Sequence, residues 1–157
     1  MSTQANVASV VLAAGSGTRF GHSMNKVWLQ LNGKHIISRS LENSRAHFSN
    51  VRSILVINPD DEEFAREALA KDGALANTEL VHGGATRHES EYKALQYLKA
   101  DIAAGLIDLV LIHDGARPLA TPQIFSAIAD GAQSHGGAIP TIALDPHEMD
   151  SVRSETV

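Results

Sequence analysis

Residues 7–21 read VASVVLAAGSGTRFG, an unbroken apolar run that leads directly into a glycine-rich loop. A continuous apolar run is typical of a strand that is buried on both faces of a parallel sheet. The glycines let the loop backbone approach an anion with its N–H groups, and Arg19 and Lys26 can add mobile cations. The stretch predicts a parallel α/β sheet with a phosphate-binding loop. The alternative is an ordinary strand-to-helix turn with two solvated cations.

The rest of the chain alternates short apolar runs with longer amphipathic segments. Further strands are predicted at residues 51–57, 78–81, 109–112 and 138–144, and helices at 36–48, from 59 or 60 to 73, from 86 or 87 to about 104, and from 122 to about 135. This alternation predicts a three-layer, Rossmann-like α/β fold, mostly parallel, with helices on both faces of the sheet. In the common doubly wound order the first and fourth strands are neighbours, and ligands bind beyond their carboxyl ends.

Composition excludes several classes of function. The chain has 157 residues, which suits one domain, and no cysteine, so disulfides, thiolate metal sites and cysteine nucleophiles are ruled out. A net charge of −5 and an aromatic content of 4% argue against nucleic acid as a partner. No apolar run approaches the roughly 18–20 residues that span a bilayer, and the first residues do not resemble a secretory signal. We expect a cytoplasmic protein with no membrane partner.

A second unusual segment, LIHDGARP at residues 111–118, follows the fourth strand. A carboxylate at the end of a buried strand and beside a phosphate loop, as Asp114 is placed, is suited to holding Mg²⁺. Arg117 can bind a further phosphate group. The alternative is a turn in which Asp114 caps backbone N–H groups and pairs with Arg117. His113 is expected to be packed or hydrogen-bonded, since no second histidine lies at metal-ligand spacing.

A third segment, HGGATRHES at residues 82–90, again places two glycines between a strand and a helix. The backbone at Gly83 and Gly84 can approach a flat base, and the Ser90 hydroxyl can hydrogen-bond to it. The alternative is a tight turn followed by a capping box between Thr86 and Glu89. The two interpretations are compatible.

The segments AAGSGTRF with a following lysine, GGATRHES and HDGARPL occur in an order and spacing that resemble the 2-C-methyl-D-erythritol 4-phosphate cytidylyltransferases of the non-mevalonate isoprenoid pathway. The resemblance covers roughly residues 7–140. It implies transfer of CMP from CTP to 2-C-methyl-D-erythritol 4-phosphate with release of pyrophosphate, and Mg²⁺ as the cofactor. It also implies a homodimer, although the family forms its dimer arm from a later portion. A ribitol-5-phosphate or other sugar-phosphate nucleotidyltransferase and a catalytically incomplete nucleotide-binding module are the alternatives.

The resemblance also implies roles for individual residues. The nucleotide would be bound by Ala14, Gly15, Ser16 and Gly17 and, around cytosine, by Gly84, Ala85 and Ser90. Arg19 and Lys26 would be catalytic. Asp114 would bind Mg²⁺, and Arg117 would approach the sugar phosphate. The chain departs from the family at Asn25, where proline is usual, and at Ala85, where an acidic residue is usual. We expect residues 1–6 to be a flexible N-terminus, 7–144 to be the nucleotide-binding domain, and 145–157 to be an irregular tail that begins a truncated continuation.

Overall fold

The computed structural model describes residues 5–15 and 25–142. The strands are β1 (Val7–Leu12), β2 (Gln30–Leu31), β3 (Lys34–His35), β4 (Val51–Ile57), β5 (Glu79–His82) and β6 (Leu109–Asp114), and the helices are α1 (Ile36–Arg45), α2 (Glu62–Lys71), α3 (Arg87–Ala103) and α4 (Pro122–His135). Short 3₁₀ turns occupy Lys26–Trp28, Pro59–Asp61 and Leu75–Asn77. The predicted helices are all present, although α1 ends at Arg45 rather than at residue 48.

Four strands form a parallel sheet in the order β5-β4-β1-β6. Leu12, the last residue of β1, is in register with Val56 of β4 and with Asp114 of β6. The first and fourth long strands are therefore neighbours, as the sequence predicts. Their carboxyl ends meet at one edge of the sheet, where ligands bind in doubly wound folds.

Helices cover both faces of this sheet, which confirms the three-layer prediction. One face carries α1, α2 and α4, and its core includes Val11, Ile37, Leu55, Leu69, Leu111 and Phe125. The other face carries α3, whose Ala94 and Leu98 pack on Ala8, Val10, Ile54 and Val56. Strand β1 is buried from both sides because it lies inside the sheet, which explains its continuous apolar sequence. Among the described residues, no helix is both long enough and apolar enough to cross a membrane.

A small antiparallel hairpin, β2–β3, precedes α1 and was not predicted. Its turn is Asn32-Gly33, and both residues have positive φ angles, of 53° and 76°. Tight two-residue hairpin turns require such angles, which favours the Asn-Gly pair. The dipeptide was therefore a visible signal for the hairpin.

The predicted fifth strand is wrong over its described part, Ala138 to Ile142, which forms no regular structure. Ile139 and Ile142 are 81% and 83% exposed. Apolar residues form a strand only when backbone N–H and C=O groups find a neighbouring strand. Pro140 also lacks the N–H that a ladder needs. Residues 143–144, the predicted tail and most of the predicted N-terminal segment lie outside the described residues.

Candidate functional site

Three connecting segments begin at the carboxyl edge of the sheet, each with one backbone hydrogen bond to the neighbouring strand. Ala13 N–H donates to Val56 O at 2.7 Å, Gly83 N–H to Ile57 O at 2.8 Å, and Gly115 N–H to Leu12 O at 2.8 Å. These bonds continue the sheet by one residue before each segment turns away. The three motifs singled out in the sequence are therefore fixed at the same edge.

The segments after β1 and β5 are in direct contact. A Cβ built on Gly83 would lie 2.4 Å from the Cβ of Ala14 and 2.8 Å from the Ser90 hydroxyl oxygen. Cβ atoms do not approach one another so closely, so only glycine fits at position 83. A Cβ on Gly15, by contrast, would meet no heavy atom of the described residues within 4 Å. As far as the described residues go, the backbone is therefore tightly packed at Gly83 and unobstructed at Gly15.

The turn at residues 83–86 is held by side chains of α3. Thr86 is the N-cap, and it forms the predicted capping box with Glu89. The Ser90 hydroxyl, which is 3% exposed, donates to Thr86 O at 2.9 Å and accepts from Gly84 N–H at 3.1 Å. A hydroxyl has one proton and two lone pairs, so one acceptor position of the buried Ser90 hydroxyl has no partner among the described residues. The capping box expected from the structural interpretation is thus present, and it is compatible with nucleotide binding by the same segment.

Two further contacts stabilise the same turn. Glu89 Oε2 accepts from Ala85 N–H at 2.7 Å, so the backbone of Ala85 is engaged within the protein. The Lys93 ammonium, one turn further along α3 from Glu89, donates to Gly83 O at 2.8 Å. The contact of Lys93 was not predicted, because the position of a lysine in a helix does not show which carbonyl its side chain reaches.

Lys26 lies on a 3₁₀ turn that is anchored in the core. The next two residues, Val27 and Trp28, are each 3% exposed, and the Trp28 indole N–H donates to Asp61 Oδ2 at 3.1 Å. Asn25 caps the turn, since its Oδ1 accepts from Val27 N–H at 3.3 Å. The same side chain donates from Nδ2 to Ala13 O at 2.7 Å and to Gly15 O at 2.6 Å. Asn25 therefore links the turn that carries Lys26 to the backbone after β1.

Asp114 is the last residue of β6, and its carboxylate pairs with two arginines. Oδ2 lies 2.9 Å from Arg117 Nε, and Oδ1 accepts from Arg87, the first residue of α3. The carboxylate side chain is 25% exposed, against 57% for Arg87 and 74% for Arg117. The predicted pairing with Arg117 is present. Arg87, which the sequence analysis did not single out, joins the segment after β5 to the end of β6.

The loop after β6 is fixed to α1 and α4. The buried Ser40 hydroxyl donates to Gly115 O at 2.8 Å. His113 packs edge-on against Phe125, with 4.9 Å between ring centroids, and its Nε2 lies 3.1 Å from Arg117 O. A carbonyl accepts, so Nε2 carries the proton in this contact. Burial lowers the pKa of His113 below its usual 6.5, which favours the neutral ring. The prediction that His113 is a packed, hydrogen-bonded residue is confirmed.

The structure thus connects most of the residues that the sequence nominated. Ala14 touches the Gly83 turn, Gly15 is tied to the turn of Lys26, Ser90 contacts Gly84, and Asp114 pairs with Arg117. Ser16, Gly17 and Arg19 lie outside the described residues. Within residues 5–15 and 25–142 no three acidic or histidine side chains form a group that could hold a metal by themselves. Among the described residues, the edge therefore brings the Gly83 turn together with the Asp114 carboxylate and its partners Arg87 and Arg117, and Asn25 links the turn of Lys26 to it.

A comparison with protein families matches residues 7–153 to "IspD: 2-C-methyl-D-erythritol 4-phosphate cytidylyltransferase". A curated protein of that name from Cereibacter sphaeroides is 38% identical over 137 residues, which are 87% of this chain and 58% of that protein. One from Bacillus mycoides is 32% identical over 135 residues, covering 86% of this chain and 57% of its own length. The chain therefore spans little more than half the length of these relatives.

Solved structures agree on the fold. A 4-diphosphocytidyl-2C-methyl-D-erythritol synthase from Anaerococcus prevotii superposes with a TM-score of 0.64 at 24% identity, over 92% of this chain and 61% of that one. The bifunctional IspDF from Campylobacter jejuni gives a TM-score of 0.61 at 24% identity, over 82% and 31% of the two chains. At this identity the likeness establishes the α/β fold. Sequence and family profile together show that this chain belongs to the 2-C-methyl-D-erythritol 4-phosphate cytidylyltransferase family.

Proposed function

We propose that this protein transfers CMP from CTP to 2-C-methyl-D-erythritol 4-phosphate and releases pyrophosphate. The observation that carries the proposal is the meeting of three segments at one sheet edge: the Ala14–Gly15 backbone, the Gly83–Gly84 turn, and the Asp114–Arg117 loop. Family membership supports the same activity, since the matched relatives carry that name. Because the chain covers only part of those relatives, the activity of this chain needs a direct test.

The arrangement suits phosphoryl-type transfer, which depends on positioning and charge neutralisation more than on acid–base groups. In the proposed reaction an oxygen of the sugar-alcohol phosphate attacks the α-phosphorus of CTP. The bond from that phosphorus to the oxygen bridging the α- and β-phosphates breaks, and pyrophosphate leaves with the electron pair. Lys26 would neutralise charge on the triphosphate, and Arg117 would bind the phosphate of the acceptor. Arg19 would act beside Lys26, and it lies outside the described residues.

Cytosine would bind at the turn after β5. The backbone of Gly84 and the remaining acceptor position of Ser90 lie together there, and an exocyclic amino group is a donor that such an acceptor can recognise. The backbone at Gly15, which no described side chain obstructs, would leave space for the ribose and phosphates. Ala14 would bind the nucleotide beside it, as would Ser16 and Gly17, which lie outside the described residues. The Ala85 N–H is bonded to Glu89, so Ala85 would contribute its carbonyl or its small side chain.

The residues present fit a magnesium ion that is shared with the nucleotide. Mg²⁺ commonly takes one or two carboxylates and completes its coordination with water and substrate phosphates. Asp114 supplies one partly exposed carboxylate at the sheet edge, and its present partners are arginines rather than buried core groups. When bound, the ion would neutralise phosphate charge. Asp114 would hold it, and Arg87 and Arg117 would then be available to phosphate oxygens.

The test is a turnover assay with labelled CTP and Mg²⁺, offering 2-C-methyl-D-erythritol 4-phosphate or ribitol 5-phosphate as the acceptor. Pyrophosphate release that depends on the first acceptor supports the proposal. Preference for ribitol 5-phosphate would assign the other sugar phosphate. Binding of CTP without pyrophosphate release would show a nucleotide-binding module instead.

Single substitutions test the residue roles. Removing one preorganised contact to a transition state typically costs ~100–1000-fold in rate, and we expect at least that loss for Lys26→Ala or Arg19→Ala. Circular dichroism and the melting temperature control for folding. Near-normal turnover in either folded variant would refute the assigned role.

A further inference from the structure

The Asn25 side chain joins two parts of the candidate site that are separated along the sequence. Its Nδ2 donates to both Ala13 O and Gly15 O, while its Oδ1 accepts from Val27 N–H. An amide side chain has two N–H donors, so both are used on the backbone that follows β1. On the other side, the turn that Asn25 caps is fixed by the buried Val27 and Trp28.

These bonds set the direction of the backbone after β1. The peptide unit is planar and trans, so its carbonyl and N–H point to opposite sides. Because Ala13 O points at Asn25, the N–H of Ala14 points away from it. Gly15 O is held in the same way. A single side chain thus sets the orientation of the carbonyls of Ala13 and Gly15, on either side of Ala14, and holds the turn that carries Lys26.

We propose that Asn25 is a positioning residue that pre-organises the Ala14–Gly15 backbone and Lys26 for the triphosphate of CTP. The inference rests on the proposed function, in which these groups bind the nucleotide. Asn25 itself need not touch the ligand. The hydrogen bonds of Asn25 join the backbone after β1 to the turn that carries Lys26. They fix this geometry before the ligand binds, so binding does not have to order it.

Asn58 provides a matched control for the loss of a cap. It also precedes a 3₁₀ turn, Pro59–Asp61, and its Oδ1 accepts from Asp60 N–H at 3.1 Å. Asn58→Ala therefore removes the same kind of turn cap, and among the described residues Asn58 has no bond to the backbone after β1. Because its turn includes Asp61, the partner of the Trp28 indole, an unchanged tryptophan emission is required of this control. Asn25→Asp keeps the size and the acceptor of Asn25 but replaces both donors with an oxygen that faces two carbonyls.

The experiment measures the Kd for CTP with Mg²⁺ by calorimetry on the full 157-residue chain. Loss of two hydrogen bonds predicts ~10-fold weaker binding for Asn25→Ala and a larger loss for Asn25→Asp, with Asn58→Ala within about twofold of the wild type. The melting temperature should fall more for Asn25→Ala, which loses three hydrogen bonds, than for Asn58→Ala, which loses one. Equal binding by the wild type and Asn25→Ala, or an equal loss in Asn58→Ala, would overturn the inference.

A second measurement separates this inference from the proposed function. Backbone NMR order parameters of Ala14 and Gly15, measured without ligand, should fall in Asn25→Ala and stay unchanged in Asn58→Ala. If the wild type does not bind CTP, the proposed function fails. Lowered order parameters in Asn25→Ala would still support the positioning of the Ala14–Gly15 backbone by Asn25. Unchanged order parameters in Asn25→Ala would overturn the positioning role of Asn25, whichever ligand the protein binds.

Discussion

Gly83→Ala is the substitution for which the structure makes the sharpest prediction. The added Cβ would lie 2.4 Å from Ala14 Cβ, 2.8 Å from Ser90 Oγ and 3.1 Å from Val56 Cγ1. Two of these distances are below any ordinary contact, and none of the three atoms is the far end of a long flexible side chain. The backbone after β5 or the backbone after β1 must therefore shift.

Overpacking of this kind costs ~1–3 kcal/mol in the free energy of unfolding. For a chain of this size each kcal/mol lowers the melting temperature by ~2–4 °C, so we expect a decrease of ~2–12 °C. Urea denaturation followed by circular dichroism measures the free energy, and differential scanning calorimetry measures the melting temperature. Gly15→Ala is the control, because no described heavy atom lies within 4 Å of its added Cβ, and it should stay within about 0.5 kcal/mol of the wild type.

A double-mutant cycle tests the cause of the loss. Ala14→Gly removes the atom nearest to the new methyl group, so combining it with Gly83→Ala should recover ~0.5–1.5 kcal/mol relative to the sum of the single changes. Recovery should be partial, since the contacts with Ser90 and Val56 remain. A stability of Gly83→Ala equal to the wild type, or strictly additive effects in the double variant, would refute the reasoning.

Three further substitutions test other contacts of the site. Lys93→Met removes the hydrogen bond to Gly83 O but keeps the apolar stem, and should destabilise the protein by ~0.5–1.5 kcal/mol in urea denaturation; no change would mean that the ammonium contributes nothing to the turn. Ser40→Ala leaves Gly115 O without its buried donor and should cost ~1–3 kcal/mol, measured in the same way, with a loss below ~0.5 kcal/mol contradicting the contact. Burial lowers the pKa of His113 in the folded protein, so between that lowered value and about 6.5 the unfolded chain holds more of this proton, and stability falls as the pH drops through this range. His113→Gln should show a smaller decrease of the melting temperature between about pH 7.5 and 5.5, and an unchanged decrease would exclude His113 as the cause.

Local signals in the sequence predicted the regular elements well. The apolar run of β1 and the capping box at Thr86 and Glu89 are both present, because they depend on residues that are close along the chain. The hairpin β2–β3 also had such a signal, in Asn32-Gly33, and was overlooked. The strand predicted at residues 138–142 is wrong for the opposite reason. Their apolar character is local, but a strand needs a partner elsewhere in the chain, which no local pattern supplies.

For the candidate site, sequence motifs nominated the right segments but not the contacts between them. Arg87 reaches Asp114 across 27 positions, and Asn25 reaches Ala13 backward across 12. Such pairs depend on how the strands are ordered in the sheet and on where each helix begins. The roles of Lys26, Asp114 and their neighbours in chemistry stay predictions, which the turnover and binding experiments test.

The anchoring of the 3₁₀ turn by Trp28 has a spectroscopic consequence. Trp28 is the single tryptophan of the chain, it is 3% exposed, and its indole N–H is bonded to Asp61. Emission excited selectively from tryptophan therefore comes from one position, two residues from Lys26. A buried indole emits at shorter wavelength than a hydrated one, so a red shift reports loosening of this turn or of its contacts with Asp61 and Phe64. The native protein thus carries an optical reporter at the edge of its candidate site, and no label has to be introduced.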